Sequence, residues 1–146
     1  MKIFALISFS VASVLSHLVL APGVLGGEDF AALRAMRCDS PADVAGELAA
    51  DVVAGRARVA RVERDGARVG FVVFEVTSAH EFVVHAAFSG DSHRSLLPAL
   101  VDAVDAAALR EGCTSVSFST ARPGLVAGCL KLGFRVSEVV MRRAVA

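Results

Sequence analysis

The stretch from Glu81 to Val136 constrains the fold more than any other part of the chain. Glu81 to Phe88 (EFVVHAAF) is a β-rich run, Ser95 to Glu111 (SLLPALVDAVDAAALRE) is amphipathic at helical spacing, and Thr114 to Thr120 (TSVSFST) alternates polar and apolar. Leu97, Leu100, Val101, Val104 and Ala108 form the stripe expected to be buried, with Asp102 and Asp105 outside it. A helix between two strands is a crossover, so the strands should lie parallel with a right-handed connection. Ligands of such sheets bind beyond the carboxyl ends of the strands, which places the candidate site at Ser89 through Ser95. Pro98 is tolerated only in a first turn, so the helix begins no earlier than about Arg94, with Ser92 or Ser95 as cap and Gly112 as stop.

The flanking chain supplies further elements. On the first strand of the crossover, alternation puts Glu81, Val83, His85 and Ala87 on one face and Phe82, Val84, Ala86 and Phe88 on the other. Upstream, Arg56 to Arg64 and Ala67 to Val76 flank Asp65-Gly66, a strong hairpin signal. Arg58, Arg61 and Arg64 do not keep period two, which predicts a bulge or an exposed edge. Glu28 to Met36 reads as a short helix, and Ser40-Pro41 starts another that runs to Ala54, stopped by Gly55. Downstream come a helix over Pro123 to Leu132, a Gly133-Phe134 turn and a final strand over Glu138 to Ala144.

Between Lys2 and Glu28 there is no Asp, Glu, Lys or Arg, a pattern compatible with a signal peptide or membrane anchor. Ser8, Ser10, Ser13, Ser16 and His17 interrupt the run, however, and Pro22-Gly23 ends it. The expectation is a strand over Lys2 to Ser8 and a buried helix over Ser10 to Leu20, retained within the folded domain, with secretion as the alternative. The first 30 residues, without charge between Lys2 and Glu28, are also the expected contact surface if the chain is a non-catalytic subunit.

Composition narrows the partners. The 146 residues suit one domain, and 15 basic against 15 acidic residues leave no net charge to attract nucleic acid or an acidic membrane. The three arginines before Asp65 lack the interleaved aromatics of a nucleic-acid surface. Cys38, Cys113 and Cys129 are odd in number and lack metal-ligand spacing, which predicts reduced, buried thiols and no metal site. Hydrophobic residues make up 55% of the chain. The expected location is the cytoplasm or the interior of a viral or other protein assembly.

The order strand, hairpin, strand, loop, helix, strand, short helix, Lys-Leu-Gly-Phe, final strand resembles the GNAT superfamily of acyl-CoA N-acyltransferases. Ala127 to Val136 (AGCLKLGFRV) is similar to the family's A-x-x-x-Y-x-K-x-G-F ending. The resemblance covers the chain well from about residue 40 and weakly before it. It implies an α/β (α+β) fold: one GNAT-like domain with a mixed central sheet, a parallel β-α-β unit and helices on both faces. It also implies acetyl-CoA as acyl donor and an amine as acceptor.

Site residues follow from the same resemblance. Acetyl-CoA contacts are implied at Ala87, Phe88, Ser92, His93, Arg94, Ser95 and Leu97. The pyrophosphate loop of the family, Gln/Arg-x-x-Gly-x-Gly/Ala, falls on Ser92, Ser95 and Leu97, none of which matches. Arg94 remains a cation for a phosphate, whereas Leu97 puts a side chain where close backbone approach is needed. Glu81 matches in spacing the glutamate that serves some members as general base, and His85 on the same predicted face is an alternative. Cys129 stands where the family carries its tyrosine acid, in a chain without tyrosine. Two functional classes therefore stand side by side: an N-acetyltransferase, and a non-catalytic GNAT-fold subunit that binds protein partners or itself through apolar surfaces, as in a virion.

Overall fold

The computed structural model describes residues 17–35, 44–89, 96–120 and 122–145. The expectations for Lys2 to Ser8, for most of the helix over Ser10 to Leu20, for the Ser40-Pro41 helix start, for Cys38 and for the loop over 90–95 lie outside those residues. Nine elements follow in chain order: β1 Leu18–Pro22, α1 Gly27–Ala35, α2 Val44–Val53, β2 Arg58–Arg64, β3 Ala67–Val76, β4 Glu81–Ser89, α3 Leu96–Arg110, β5 Ser115–Phe118 and α4 Pro123–Lys131. The strands form one mixed sheet in the order β1, β2, β3, β4, β5, antiparallel except for the parallel pair β4 and β5. The α3 crossover therefore does what its sequence position requires.

Local signals place the turns. Asp65 (φ 51°) and Gly66 (φ 79°) both adopt left-handed backbone, the pair of conformations that a tight hairpin between twisted strands needs. The register shifts opposite Val62 and Glu63, but the extra residue is Val69 of β3, so the bulge lies on the second strand of the hairpin and not on the arginine-bearing first. Gly55 and Gly112 take positive φ where α2 and α3 stop. Gly23 has a different role: a Cβ there would stand 2.9 Å from the Arg61 backbone nitrogen, and its own N–H donates to the Val59 carbonyl.

The sheet is covered on both faces. Leu18, Leu20, Val62, Val72, Phe74 and Phe82 pack against Leu96, Ala103, Val104 and Ala107 of α3. On the other face Val59, Phe71, Val73 and Ala86 pack against Leu33 of α1 and Ala45 and Leu48 of α2. Phe74 and Phe82 stack at 4.4 Å within the first cluster. A bidentate ion pair from Arg58 to Glu111 and a hydrogen bond from Arg110 to the Leu20 carbonyl tie the end of α3 to β1 and β2.

Three expectations are corrected. Leu18 to Leu20 belong to a strand, not to a helix ending at Leu20. Leu18 and Leu20 are buried while Val19 is exposed, and pairing with β2 selects period two over the helical reading. No strand forms over Glu138 to Ala144; residues 134–145 belong to neither helix nor strand. β5 offers only four residues for pairing, and an extended segment gains little without a neighbour. Finally, Phe82, Val84, Ala86 and Phe88 do not share a face. Val73 pairs with Ala86 but Phe74 pairs with Val84, so His85 is the extra residue of a bulge that turns Ala86 and Phe88 to the α1–α2 side.

Candidate functional site

The bulge decides the geometry of the site. β4 and β5 pair over four residues only, from Glu81 with Ser115 to Val84 with Phe118. Past that point β5 ends and β4 continues for five more residues, His85 to Ser89. The strands thus part at the carboxyl end of β5, and among the described residues no strand lies beside the β5-facing edge of β4 there. Unpaired strand edges present hydrogen-bonding groups to whatever enters.

His85 sits where the strands part. Its Nε2 lies 2.9 Å from Oε2 of Glu75, a residue of β3, and both side chains are about one-third exposed. A carboxylate has no proton to give, so the contact assigns the hydrogen to Nε2 and leaves the Nδ1 lone pair as the basic site. Such a carboxylate also orients the ring. Glu75 was missed by sequence reasoning. Its signal was present as one acidic residue near the end of an otherwise apolar strand, FVVFEV.

Glu81 lies elsewhere. Its N–H donates to Thr77 Oγ1 and its carbonyl accepts the Thr77 N–H at 2.9 Å, which closes the β3–β4 turn. His85 is four steps further along the strand, roughly 13 Å at the usual rise. The two candidate bases therefore do not act on one proton. Ala87 and Phe88 lie on the diverging part of β4, where Ala87 is exposed and Phe88 stacks on Phe71 at 5.8 Å.

Leu97 and Cys129 come from the two helices beside the opening. Leu97, in the first turn of α3, reaches α4: a Cβ on Gly128 would stand 2.8 Å from Leu97 Cδ2. Gly128 thus lets the two helices close around a leucine. Cys129, the next residue, is buried, and burial pushes its thiol above the ordinary value, so it stays protonated and packed. Ser92, His93, Arg94 and Ser95 lie outside the described residues. A separate cavity of about 200 Å³ is lined by residues of β1, β2 and the end of α3, with Phe74 and Phe82 among them. Its charged groups are spent on the Arg58–Glu111 pair and the Arg110 bond to β1. Among the described residues no group of three His, Cys, Asp or Glu could hold a metal ion, and no helix is long and apolar enough to cross a membrane.

A mixed five-stranded sheet with a parallel last pair, the crossover helix on one face and two helices on the other, resembles the fold of solved structures. A GNAT family acetyltransferase from Elizabethkingia anophelis, solved with acetyl-CoA bound, superposes with a TM-score of 0.59 over 84% of this chain and 78% of its own, at 14% identity. An acetyltransferase from Trypanosoma brucei gives 0.54 over 88% and 99%, at 21% identity. The fold is that of the GNAT acetyltransferases. A protein from Bacillus halodurans described as a transcriptional regulator matches equally well, with a TM-score of 0.59 over 88% and 100% at 12% identity. No family model matches the sequence, and no curated protein is similar to it. The GNAT fold supports the parallel β-α-β unit read from Glu81 to Val136, while the chemistry rests on the site.

Proposed function

We propose that the chain is a GNAT-type N-acetyltransferase that moves acetyl from acetyl-CoA to an amine, with His85 as general base. The observation that carries this reading is the 2.9 Å His85–Glu75 pair placed at the point where β4 leaves β5. The exposed edge of β4 around Ala87 and Phe88 suits an extended, amide-bearing chain such as the arm of acetyl-CoA, which can hydrogen-bond to it as a strand would. The amine nitrogen attacks the acetyl carbon; the new C–N bond forms as the C–S bond breaks. His85 Nδ1 takes the amine proton, and coenzyme A departs as a thiolate that solvent protonates. Glu75 holds the imidazolium that results.

A second reading rests on Leu97. Its contact with Gly128 fills the space between α3 and α4, and the loop motif lacks its glycines. This favours a non-catalytic GNAT-fold subunit of a larger assembly, in which the opening binds no coenzyme A.

Calorimetric titration with acetyl-CoA, followed by a free-thiol release assay over a panel of amines, separates the two. On the enzyme reading acetyl-CoA binds, and His85→Ala lowers kcat about 100-fold, within the range for a lost general base, with acetyl-CoA affinity unchanged. Absence of binding at millimolar acetyl-CoA would sink the enzyme reading. Binding that emerges only in Leu97→Ala would identify this leucine as the obstruction and support the subunit reading.

A further inference from the structure

From Arg135 to Val145 the chain is exposed and belongs to neither helix nor strand. Val136, Val139, Val140, Met141 and Val145 are each at least 63% exposed, so five large apolar side chains stand in water on one short segment. The segment begins at a defined place. Phe134 packs edge-on against Phe118 at 5.5 Å, which sets the start of the tail beside the carboxyl end of β5. β5 is itself an edge strand, paired with β4 on one side only. Among the described residues, a β-rich segment without a strand partner thus lies next to a sheet edge without a neighbour.

The residue pattern says what covers it. In extended backbone Val139, Met141 and Val145 point to one face and Val136 and Val140 to the other, the latter beside Glu138 and Arg142, so both faces carry apolar side chains. Such a strand suits the interior of a sheet; as the outermost strand on its own β5 it would keep one edge and much apolar surface in water. The segment is also complementary to itself. Two copies aligned antiparallel about Val140 set Val140 opposite Val140, Val139 opposite Met141, Val136 opposite Ala144, and Glu138 opposite Arg142. By symmetry the last three pairings occur twice, so two acid–base pairs flank an apolar centre.

We propose that the C-terminal segment Arg135 to Val145 is a homodimer interface, in which the segments of two copies pair antiparallel about Val140 beside the two β5 edges. The two-fold axis passes through the valine pair. Each Glu138 meets the partner's Arg142. This surface is distinct from the apolar N-terminal segment expected from the sequence to mediate assembly, and it stands whether or not the chain is an enzyme.

The test is the oligomeric state of the full chain by light scattering and by sedimentation across micromolar concentrations. Wild type is expected to dimerise. Glu138→Arg faces Arg142 with a like charge twice, as Arg142→Glu faces Glu138, and each single variant should weaken the dimer about tenfold or more, since cross-strand charge pairs carry up to about 1 kcal/mol each. The double variant E138R/R142E restores both pairs and should recover wild-type association. A chain that is monomeric at tens of micromolar would overturn the proposal. So would a dimer indifferent to both single changes, or one that the double change fails to rescue; retention of the dimer after deletion of 135–146 would point instead to another surface, such as the N-terminal one.

Discussion

Phe71, Val72 and Val73 in the middle of β3 have no solvent exposure at all, whereas Val139, Val140 and Met141 in the C-terminal segment are 76%, 67% and 87% exposed. The two triplets are equally apolar. The difference lies in their neighbours: β3 has a strand on each side and helices over both faces, while the C-terminal segment has neither among the described residues. The same contrast runs through the molecule. β1, β2, β3 and the first half of β4 make a sealed region, and the diverging end of β4, β5, α4 and the tail make an open one. In the open region backbone and apolar groups remain available, and there His85 is found, with Glu75 reaching it from β3 and Leu97 bordering it from α3.

The largest effect should come from the sealed region. Phe82→Ala removes a fully buried ring stacked on Phe74 and is expected to cost about 3 to 5 kcal/mol. Phe134→Ala removes a half-buried ring that meets Phe118 edge-on and should cost about 1 kcal/mol. Urea midpoints at unchanged slope measure both. Equal losses would break the division between the two regions.

Backbone approach gives a second contrast. Gly23→Ala would press a methyl group against the Arg61 backbone, a contact with no flexible end to yield, and should destabilise by about 1 to 3 kcal/mol. Gly124, in the first turn of α4, faces open space, so Gly124→Ala should leave stability unchanged or raise it by up to about 1 kcal/mol. Thermal unfolding of the two variants side by side tells whether the α4 region is as loosely surrounded as its packing indicates.

The smallest effect concerns α3. Partial burial, and next the neighbouring Asp102, hold the Asp105 carboxyl above its ordinary range. A carboxyl raised on folding favours the native state at low pH, and that contribution is lost as pH rises through the folded value. Asp105→Asn should therefore stabilise the protein at neutral pH by about 0.2 to 0.5 kcal/mol, the scale of a like-charge pair on an exposed helix face. The gain should vanish in acid, once both forms are protonated. A gain that persisted in acid would show that charge is not its cause.

Much of the fold could be read locally, and much of the site could not. His85 was found as a histidine on the strand before the loop, but its partner Glu75 sits ten residues away on β3, and only the register between the strands joins them. Leu97 was singled out from its place in the loop motif; that it meets Gly128 follows from the docking of α4. Cys129 was read as a small packed side chain first and a proton donor second, and its burial agrees with the packing role.

What the sequence determined by itself are the features whose cause lies within a few residues: the Asp65-Gly66 hairpin, the glycine stops at Gly55 and Gly112, the start of α3 in the turn before Pro98, and the crossover between β4 and β5. Steric limits on backbone angles and the helical or alternating period act at that range. The tertiary structure alone decided that Leu18 to Pro22 is a strand, that the bulge at His85 turns Ala86 and Phe88 to the other face, and that the tail stays unpaired. Each of those outcomes depends on which distant strand lies alongside, because an extended segment satisfies its backbone groups only through a neighbour.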